Sequence, residues 1–202
     1  TKCPYVPPHE WNVDFPHLML RAKAVHFREH GASTRDRMLT STDRTFALAR
    51  IPLVDVTINA ANRSPGVRKL LDKTLGIHHE APIPTFHRRT LQERVAPMVR
   101  DIKATPVGDT TGKVALYATC YGNYATPDVG ADFVRVFQHN DIHIDVIPRE
   151  KCCGMPKLEL GDLDTVDALK KANIPILAAL VDEGYDLIAP IPSCVLMYKQ
   201  EL

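Results

Sequence analysis

The chain has 202 residues, of which 45% are apolar, so it is long enough for one complete domain and part of a second, with a substantial core. Its 25 basic and 24 acidic side chains nearly cancel, which argues against nucleic acid as a partner and against general attraction to an anionic membrane. No apolar run approaches the roughly 18–20 residues of a bilayer-spanning helix, and no signal peptide is recognisable. We therefore expect a cytoplasmic protein that reaches the inner face of a membrane only through partners.

The N-terminal part of the chain is predicted to be a loop followed by one helix. Residues 1–11 are rich in proline and aromatic side chains and show no periodicity, which is typical of a loop that wraps a compact site. Asp14 suits the N-cap of a helix, and Pro16 suits its first turn. Gly31 is expected to end this amphipathic helix.

Residues 34–76 keep a helical pattern that two prolines interrupt. Pro52 and Pro65 each lack a backbone donor, so the segment is predicted to form about three short helices. One face of the middle helix should carry Leu48, Ile51, Val54 and Ile58. We expect this face to pack on a neighbouring layer of the protein. A membrane-surface helix or a groove for a partner is the alternative.

Residues 77–106 are interpreted as a linker. They contain several prolines and a charged, helix-like stretch around Glu93. His78 and His79 could ligate haem or zinc, but solvated or capping histidines are more common, so we assign them no role. Together with the preceding helices, this stretch defines a helical linker region over residues 16–107.

The sequence changes character after residue 107. Short apolar runs that suit buried strands now alternate with helical patterns. Strands are predicted at 114–118, 142–147 and 187–189, and helices at 129–139 and 163–183, the last with a break near Pro175. Because strands that alternate with helices form parallel sheets with crossover connections, residues 108–202 are predicted to be an α/β module.

Four cysteines follow the predicted strands. Cys120 comes after the first strand, Cys152 and Cys153 after the second, and Cys194 after the third. Loops at the carboxyl ends of parallel strands gather at one edge of the sheet, so we expect the four thiols to meet. Gly154, next to the vicinal pair, would let the backbone approach a bulky inorganic core.

A group of four thiols can serve several chemistries. Soft sulfur donors select zinc, copper(I) or iron–sulfur clusters. Adjacent cysteines fit one tetrahedral zinc ion poorly because their side chains diverge, whereas a multi-iron cluster accepts both. The alternatives are a zinc-stabilised scaffold or binding module without redox activity, a thiol–disulfide site at Cys152 and Cys153, and buried cysteines without a function.

The surroundings of these cysteines resemble the CCG cysteine-rich domain found in the B subunit of heterodisulfide reductase and in the C subunit of anaerobic glycerol-3-phosphate dehydrogenase. The resemblance covers about residues 113–202 and rests on Cys120, Cys152-Cys153-Gly154-Met155-Pro156-Lys157 and Pro192-Ser193-Cys194. It implies an oxidoreductase subunit for electron transfer. In it, an iron–sulfur cluster of the [4Fe–4S] type is bound by Cys120, Cys152, Cys153 and Cys194. The implied partners are a flavoprotein or another oxidoreductase subunit, with a quinone or a disulfide as acceptor.

The sequence departs from the family pattern at one position. The pattern often closes with Cys-x-x-Cys, whereas here Met197 stands three residues after Cys194 and Ile191 three residues before it. One ligand of a larger, noncubane cluster is therefore absent, and a four-cysteine site remains. Because the module is usually duplicated in this family, a second one is expected beyond Leu202.

Cys3 belongs to a separate prediction. Cys3-Pro4 matches the end of the ferredoxin run C-x₂-C-x₂-C-x₃-C-P. Residues 1–15 therefore resemble the tail of a ferredoxin-type domain, in which Cys3 would ligate a [4Fe–4S] cluster together with cysteines that precede this chain. We expect the chain to be a fragment of a longer protein.

Overall fold

The computed structural model describes residues 4–6, 8–148 and 150–202. The first half is helical, and the second half combines helices with a small parallel sheet. The helices of the first half are α1 (Phe15–His30), α2 (Thr34–Thr40), α3 (Thr42–Ala47), a 3₁₀ turn (Leu48–Arg50), α4 (Val54–Arg63), α5 (Pro65–Leu75) and α6 (Leu91–Val95).

The second half alternates strands and helices, as the sequence predicts. Its elements are β1 (Lys113–Leu116), α7 (Cys120–Tyr124), α8 (Pro127–His139), β2 (His143–Val146), α9 (Met155–Leu160), α10 (Leu163–Asp182), β3 (Asp186–Ile188), α11 (Pro192–Leu196) and a π-helical turn (Met197–Glu201). The strand order is β2-β1-β3. Both pairings are parallel, with Val114 opposite Ile144 on one side and opposite Asp186 on the other. The α/β fold class is confirmed.

Helix α1 has the predicted boundaries. The Asp14 side chain accepts a hydrogen bond from the His17 backbone N–H, and Gly31, with φ of 69°, follows the last turn. A positive φ is inexpensive for glycine, which explains why the helix ends there.

The prediction of one middle helix carrying Leu48, Ile51, Val54 and Ile58 is wrong. Residues 34–75 form four α-helices and a 3₁₀ turn instead of about three helices. Ile51 is extended, with φ of −67° and ψ of 128°, because the ring of Pro52 disfavours the α conformation in the residue before it. Leu48 and Ile51 are about half exposed and form no common buried face with α4.

The prediction of a break in α10 is also wrong, because the helix continues through Pro175. Its buried side chains are Val166, Asn173 and Leu177, whereas Pro175 lies on the exposed face. Water can donate to the backbone carbonyl that loses its partner because proline has no N–H. The packing of the buried side chains of α10 therefore outweighs the destabilising effect of proline on the helix.

The sheet separates two apolar clusters, and β1 is buried on both faces. Ala115 and Tyr117 pack with the vicinal cysteines, Cys194 and residues of α9 and α10. Val114 and Leu116 pack on the opposite face with α8 and α6. Such burial on both sides is typical of parallel sheets, which helices cover on each face.

Part of the segment interpreted as a linker contributes to this core. Leu91 and Val95 of α6 are buried in the cluster beneath β1 and α8. A capping box holds the start of α6, since Thr90 accepts from the Glu93 backbone N–H and the Glu93 carboxylate accepts from that of Thr90. The α/β half therefore includes this short helix.

Helix α1 contacts the α/β half at α9. Gly161, which follows α9, has φ of +89°, and a Cβ at this position would lie 2.5 Å from the Lys23 carbonyl oxygen. An ion pair of 2.5 Å joins Lys23 to Glu159. Within the described residues, no helix combines the length and apolar character needed to cross a membrane.

Candidate metal centre

The structure brings together the four cysteines that follow the strands. Cys120 begins α7 just after β1, Cys152 and Cys153 lie in the loop between β2 and α9, and Cys194 lies in α11 after β3. The Sγ atoms of Cys120 and Cys152 are 3.7 Å apart, and those of Cys153 and Cys194 are 3.2 Å apart. All four are free thiols, and all except Cys120 are fully buried.

Two unusual backbone conformations shape the loops that carry the cysteines. Thr119 is buried and has φ of 64°, a costly conformation for a β-branched residue. Its hydroxyl accepts a hydrogen bond of 3.0 Å from the Gly122 N–H, which fixes the turn that presents Cys120. Gly154 has φ of 96°, and its N–H lies 3.5 Å from the Cys152 sulfur.

Asn173 of α10 holds the loop of the vicinal cysteines from below. Its side-chain oxygen accepts from the Lys151 N–H at 2.8 Å. Its amide donates to the Cys152 carbonyl at 3.1 Å and to the Tyr198 hydroxyl at 2.7 Å. The Tyr117 hydroxyl donates to the Lys151 carbonyl. The loop is therefore fixed by a buried polar network.

The four thiols form two hydrogen-bonded pairs, and in each pair the pKa of one thiol is lowered while that of the other is raised. Hydrogen bonds from Cys120 and Cys153 lower the pKa of Cys152, and a hydrogen bond from Cys153 lowers the pKa of Cys194. Cys120 and Cys153 are the donors of these hydrogen bonds, and this role, together with burial, raises the pKa of both. A cationic group placed among the sulfurs would allow all four to ionise.

Glu150 lies beside this site, and no motif in the sequence indicates its position there. Burial raises the pKa of its carboxyl to about 8, so at neutral pH it is mainly the uncharged acid. One carboxyl oxygen accepts from the Ala118 N–H at 3.1 Å, and the other has no hydrogen-bond partner among the residues that the structure describes. Glu150 lines a polar cavity of about 310 Å³ with Cys120 and Cys152.

The helical half also reaches the cysteines. The Thr42 hydroxyl at the start of α3 lies 3.3 Å from the Cys120 sulfur and 3.7 Å from the Cys152 sulfur. No local pattern marks Thr42, since it is distant in sequence from the residues that it contacts. Asn173 was missed for the same reason.

Met197 is completely buried in the apolar cluster of the cysteines. A Cβ on Gly154 would lie 3.5 Å from its methyl group. Met197 therefore fills space against the glycine that follows the vicinal pair.

Two other candidates stand apart from this site. Cys3 lies outside the described residues, so its assignment to a ferredoxin-type cluster stays a prediction. The possible ligand atoms of His78, His79 and Asp72 all lie within 4.8 Å of one another. The Asp72 carboxylate is engaged with His79 Nδ1 at 2.8 Å.

Comparison with known families agrees with the resemblance of the cysteine pattern to the CCG domain. Residues 114–199 match the family model CCG, the cysteine-rich domain. The chain therefore contains a CCG cysteine-rich domain, and this domain includes all four of the gathered cysteines.

One of the similar proteins matches nearly the whole chain, and others match a stretch about as long as this domain. The C subunit of anaerobic glycerol-3-phosphate dehydrogenase from Escherichia coli is 26% identical over 191 residues, which are 94% of this chain and 46% of the relative. The B subunit of fumarate reductase (CoM/CoB) from Methanothermobacter marburgensis is 34% identical over 86 residues, 42% of this chain and 17% of the relative. An uncharacterized iron-sulfur protein of Methanocaldococcus jannaschii is 23% identical over 95 residues, 46% of this chain and 19% of the relative.

The chain spans less than half of the length of each of these three relatives. No solved structure matches it.

Proposed function

We propose that this chain is the electron-transfer part of an oxidoreductase subunit, in which an iron–sulfur cluster of the [4Fe–4S] type is held by Cys120, Cys152, Cys153 and Cys194. The observation that carries the proposal is the convergence of four free thiols from three loops on one edge of the sheet. The match to the CCG domain and the iron-sulfur relative support an iron–sulfur cofactor.

The donor set suits such a cluster. Sulfur is the ligand that iron–sulfur clusters require, and four thiolates complete one cluster of the [4Fe–4S] type. The cluster would supply one-electron redox chemistry. The chain's own contribution is to hold the sulfurs in place through Thr119 and Asn173, and to bury most of them from water.

Electrons need a route between this site and the surface. Cys120 is the partly exposed thiol, and with Cys152 it lines the polar cavity. We place electron exchange with a partner on this side. The donor or acceptor within the same polypeptide would be the ferredoxin-type cluster that includes Cys3, in the domain ending near residue 15. The helical region over 16–107 would connect it to the CCG module over 108–202.

Substrate oxidation would then take place on another subunit, such as a flavoprotein, with a quinone or a disulfide as the final couple. The names of the relatives, a dehydrogenase subunit and a reductase subunit, support a partner subunit. The flavoprotein and the quinone or disulfide are what the family resemblance implies. Peripheral association with a membrane would come through those partners.

The test is anaerobic reconstitution of the full chain with iron and sulfide. We expect about four iron and four sulfide per chain and visible absorption that bleaches on reduction with dithionite. Single serine variants of Cys120, Cys152, Cys153 and Cys194 should each lose most of this iron. Cys3→Ser is the matched control, and it should retain the iron because Cys3 belongs to a different cluster.

Two results would contradict the proposal. A colourless chain with one tightly bound zinc would identify the zinc-stabilised scaffold instead. A metal-free chain in which Cys152 and Cys153 lose two hydrogens on oxidation would identify a thiol–disulfide site.

A further inference from the structure

We infer that Thr42 of the helical half raises the reduction potential of the site by donating its hydroxyl hydrogen bond to the ligand sulfur of Cys120, and more weakly to that of Cys152. The inference rests on the proposed function and extends it to a residue outside the CCG domain. It makes the helical half a component of the redox centre.

The geometry allows one direction for these hydrogen bonds once the thiols serve as ligands. Thr42 Oγ1 lies 3.3 Å from the Cys120 sulfur and 3.7 Å from the Cys152 sulfur, both within reach for a bond to sulfur. A ligating thiolate has no proton to donate, so the hydroxyl of Thr42 must be the donor.

The position of Thr42 is fixed by α9, the helix that follows the loop of the vicinal cysteines. Lys157, in the first turns of α9, donates from Nζ to Ser41 Oγ at 3.1 Å and to Thr40 Oγ1 at 3.2 Å. Its side chain is only 12% exposed. The two residues before Thr42 are thereby tied to the helix that follows Gly154, which positions the hydroxyl over the sulfurs.

A second contact holds the C-terminal end of α3. The ring of Phe46 in α3 lies 6.3 Å from the ring of Tyr121, the residue after Cys120. Phe46 also meets Phe86 edge-to-face at 5.0 Å. Helix α3 is therefore held at both of its ends, by Lys157 at its start and by Phe46 at its end.

The sign of the effect follows from charge. Reduction adds one negative charge that the thiolates share, so a hydrogen bond to sulfur stabilises the reduced state more than the oxidised state. Removal of the hydroxyl should lower the equilibrium constant for reduction by about threefold to tenfold, which is ~30–60 mV at 59 mV per tenfold for one electron.

The experiment is an optical redox titration of the reconstituted full chain. Thr42→Val removes the hydroxyl and keeps the shape of the side chain, whereas Thr42→Ser keeps the hydroxyl. Thr45→Val is the matched control, since the Thr45 hydroxyl donates to the Ser41 carbonyl instead. Iron and sulfide are counted in every sample before its potential is measured.

We expect T42V to shift to lower potential at full iron occupancy, with T42S and T45V close to the wild type. An unchanged potential in loaded T42V, or an equal shift in T45V, would overturn the inference alone. A wild-type chain that takes up no iron and sulfide would overturn the proposed function and the inference with it. The two failures are therefore distinguishable.

Discussion

Asn173→Leu tests whether the buried amide holds the loop of the vicinal cysteines. Leucine has the same number and branching of side-chain heavy atoms but can form no hydrogen bond, and Asn173 is 1% exposed. The substitution removes the partner of the Lys151 N–H and a donor to the Cys152 carbonyl. The Lys151 carbonyl keeps its bond from the Tyr117 hydroxyl.

The magnitude follows from these two backbone groups. A buried group left without its partner costs about 1–3 kcal/mol, and added apolar burial by leucine offsets part of that sum. We expect the free energy of unfolding to fall by ~3 kcal/mol. Tyr198→Phe removes a hydroxyl that accepts from Asn173 and donates to the Tyr117 hydroxyl, but it leaves both backbone groups paired, so it should cost about 1 kcal/mol.

The assay is urea unfolding of the reduced, metal-free chain, followed by circular dichroism. Ala178→Leu places leucine on the exposed face of the same helix and should change stability by less than about 0.5 kcal/mol. After reconstitution, Asn173→Leu should also hold less iron than the wild type. Wild-type stability and iron content in Asn173→Leu would refute the role of the network.

Three further predictions concern packing and charge. Gly161→Ala should lower the free energy of unfolding by about 1–3 kcal/mol, because residue 161 has a positive φ and the new Cβ would meet the Lys23 carbonyl. The control is Gly66→Ala, which has open space around its Cβ and should stabilise α5 by about 0.5 kcal/mol in the same urea denaturation assay. A hydrogen bond with Asp14 raises the pKa of His17 above its ordinary value of 6.5, and Glu201 adds to the shift. His17 therefore contributes stability below pH 6.5 that is lost as pH rises through the raised pKa, so His17→Gln should be less stable than the wild type in acid and equal to it in alkali. Met197→Leu should keep its full iron content and lose less than about 1.5 kcal/mol, since Met197 fills space; loss of iron would contradict a purely space-filling role.

Local signals in the sequence predicted much of the fold. Asp14 and Gly31 mark the ends of α1 because capping depends on nearby residues. The alternation of strands and helices predicted a parallel sheet, and each cysteine after a strand was expected at its carboxyl edge. These are properties of short segments or of topology.

The remaining features depend on contacts between distant residues. Pro175 suggests a break by its local chemistry, but the packing of Val166 and Leu177 keeps α10 continuous. Thr42 and Asn173 carry no motif, and their roles come from tertiary placement beside the cysteines. The ligand set could be proposed from the pattern, whereas the groups that support it required the structure.

The central claim is that four cysteines of the CCG domain hold iron and sulfide. Iron X-ray absorption spectroscopy of the anaerobically reconstituted chain tests it most directly, with Cys153→Ser as the comparison. The account predicts that the wild-type iron is surrounded by sulfur with other iron atoms nearby, and that this signal disappears in Cys153→Ser. Iron coordinated mainly by nitrogen and oxygen, or a signal equal in both proteins, would contradict it.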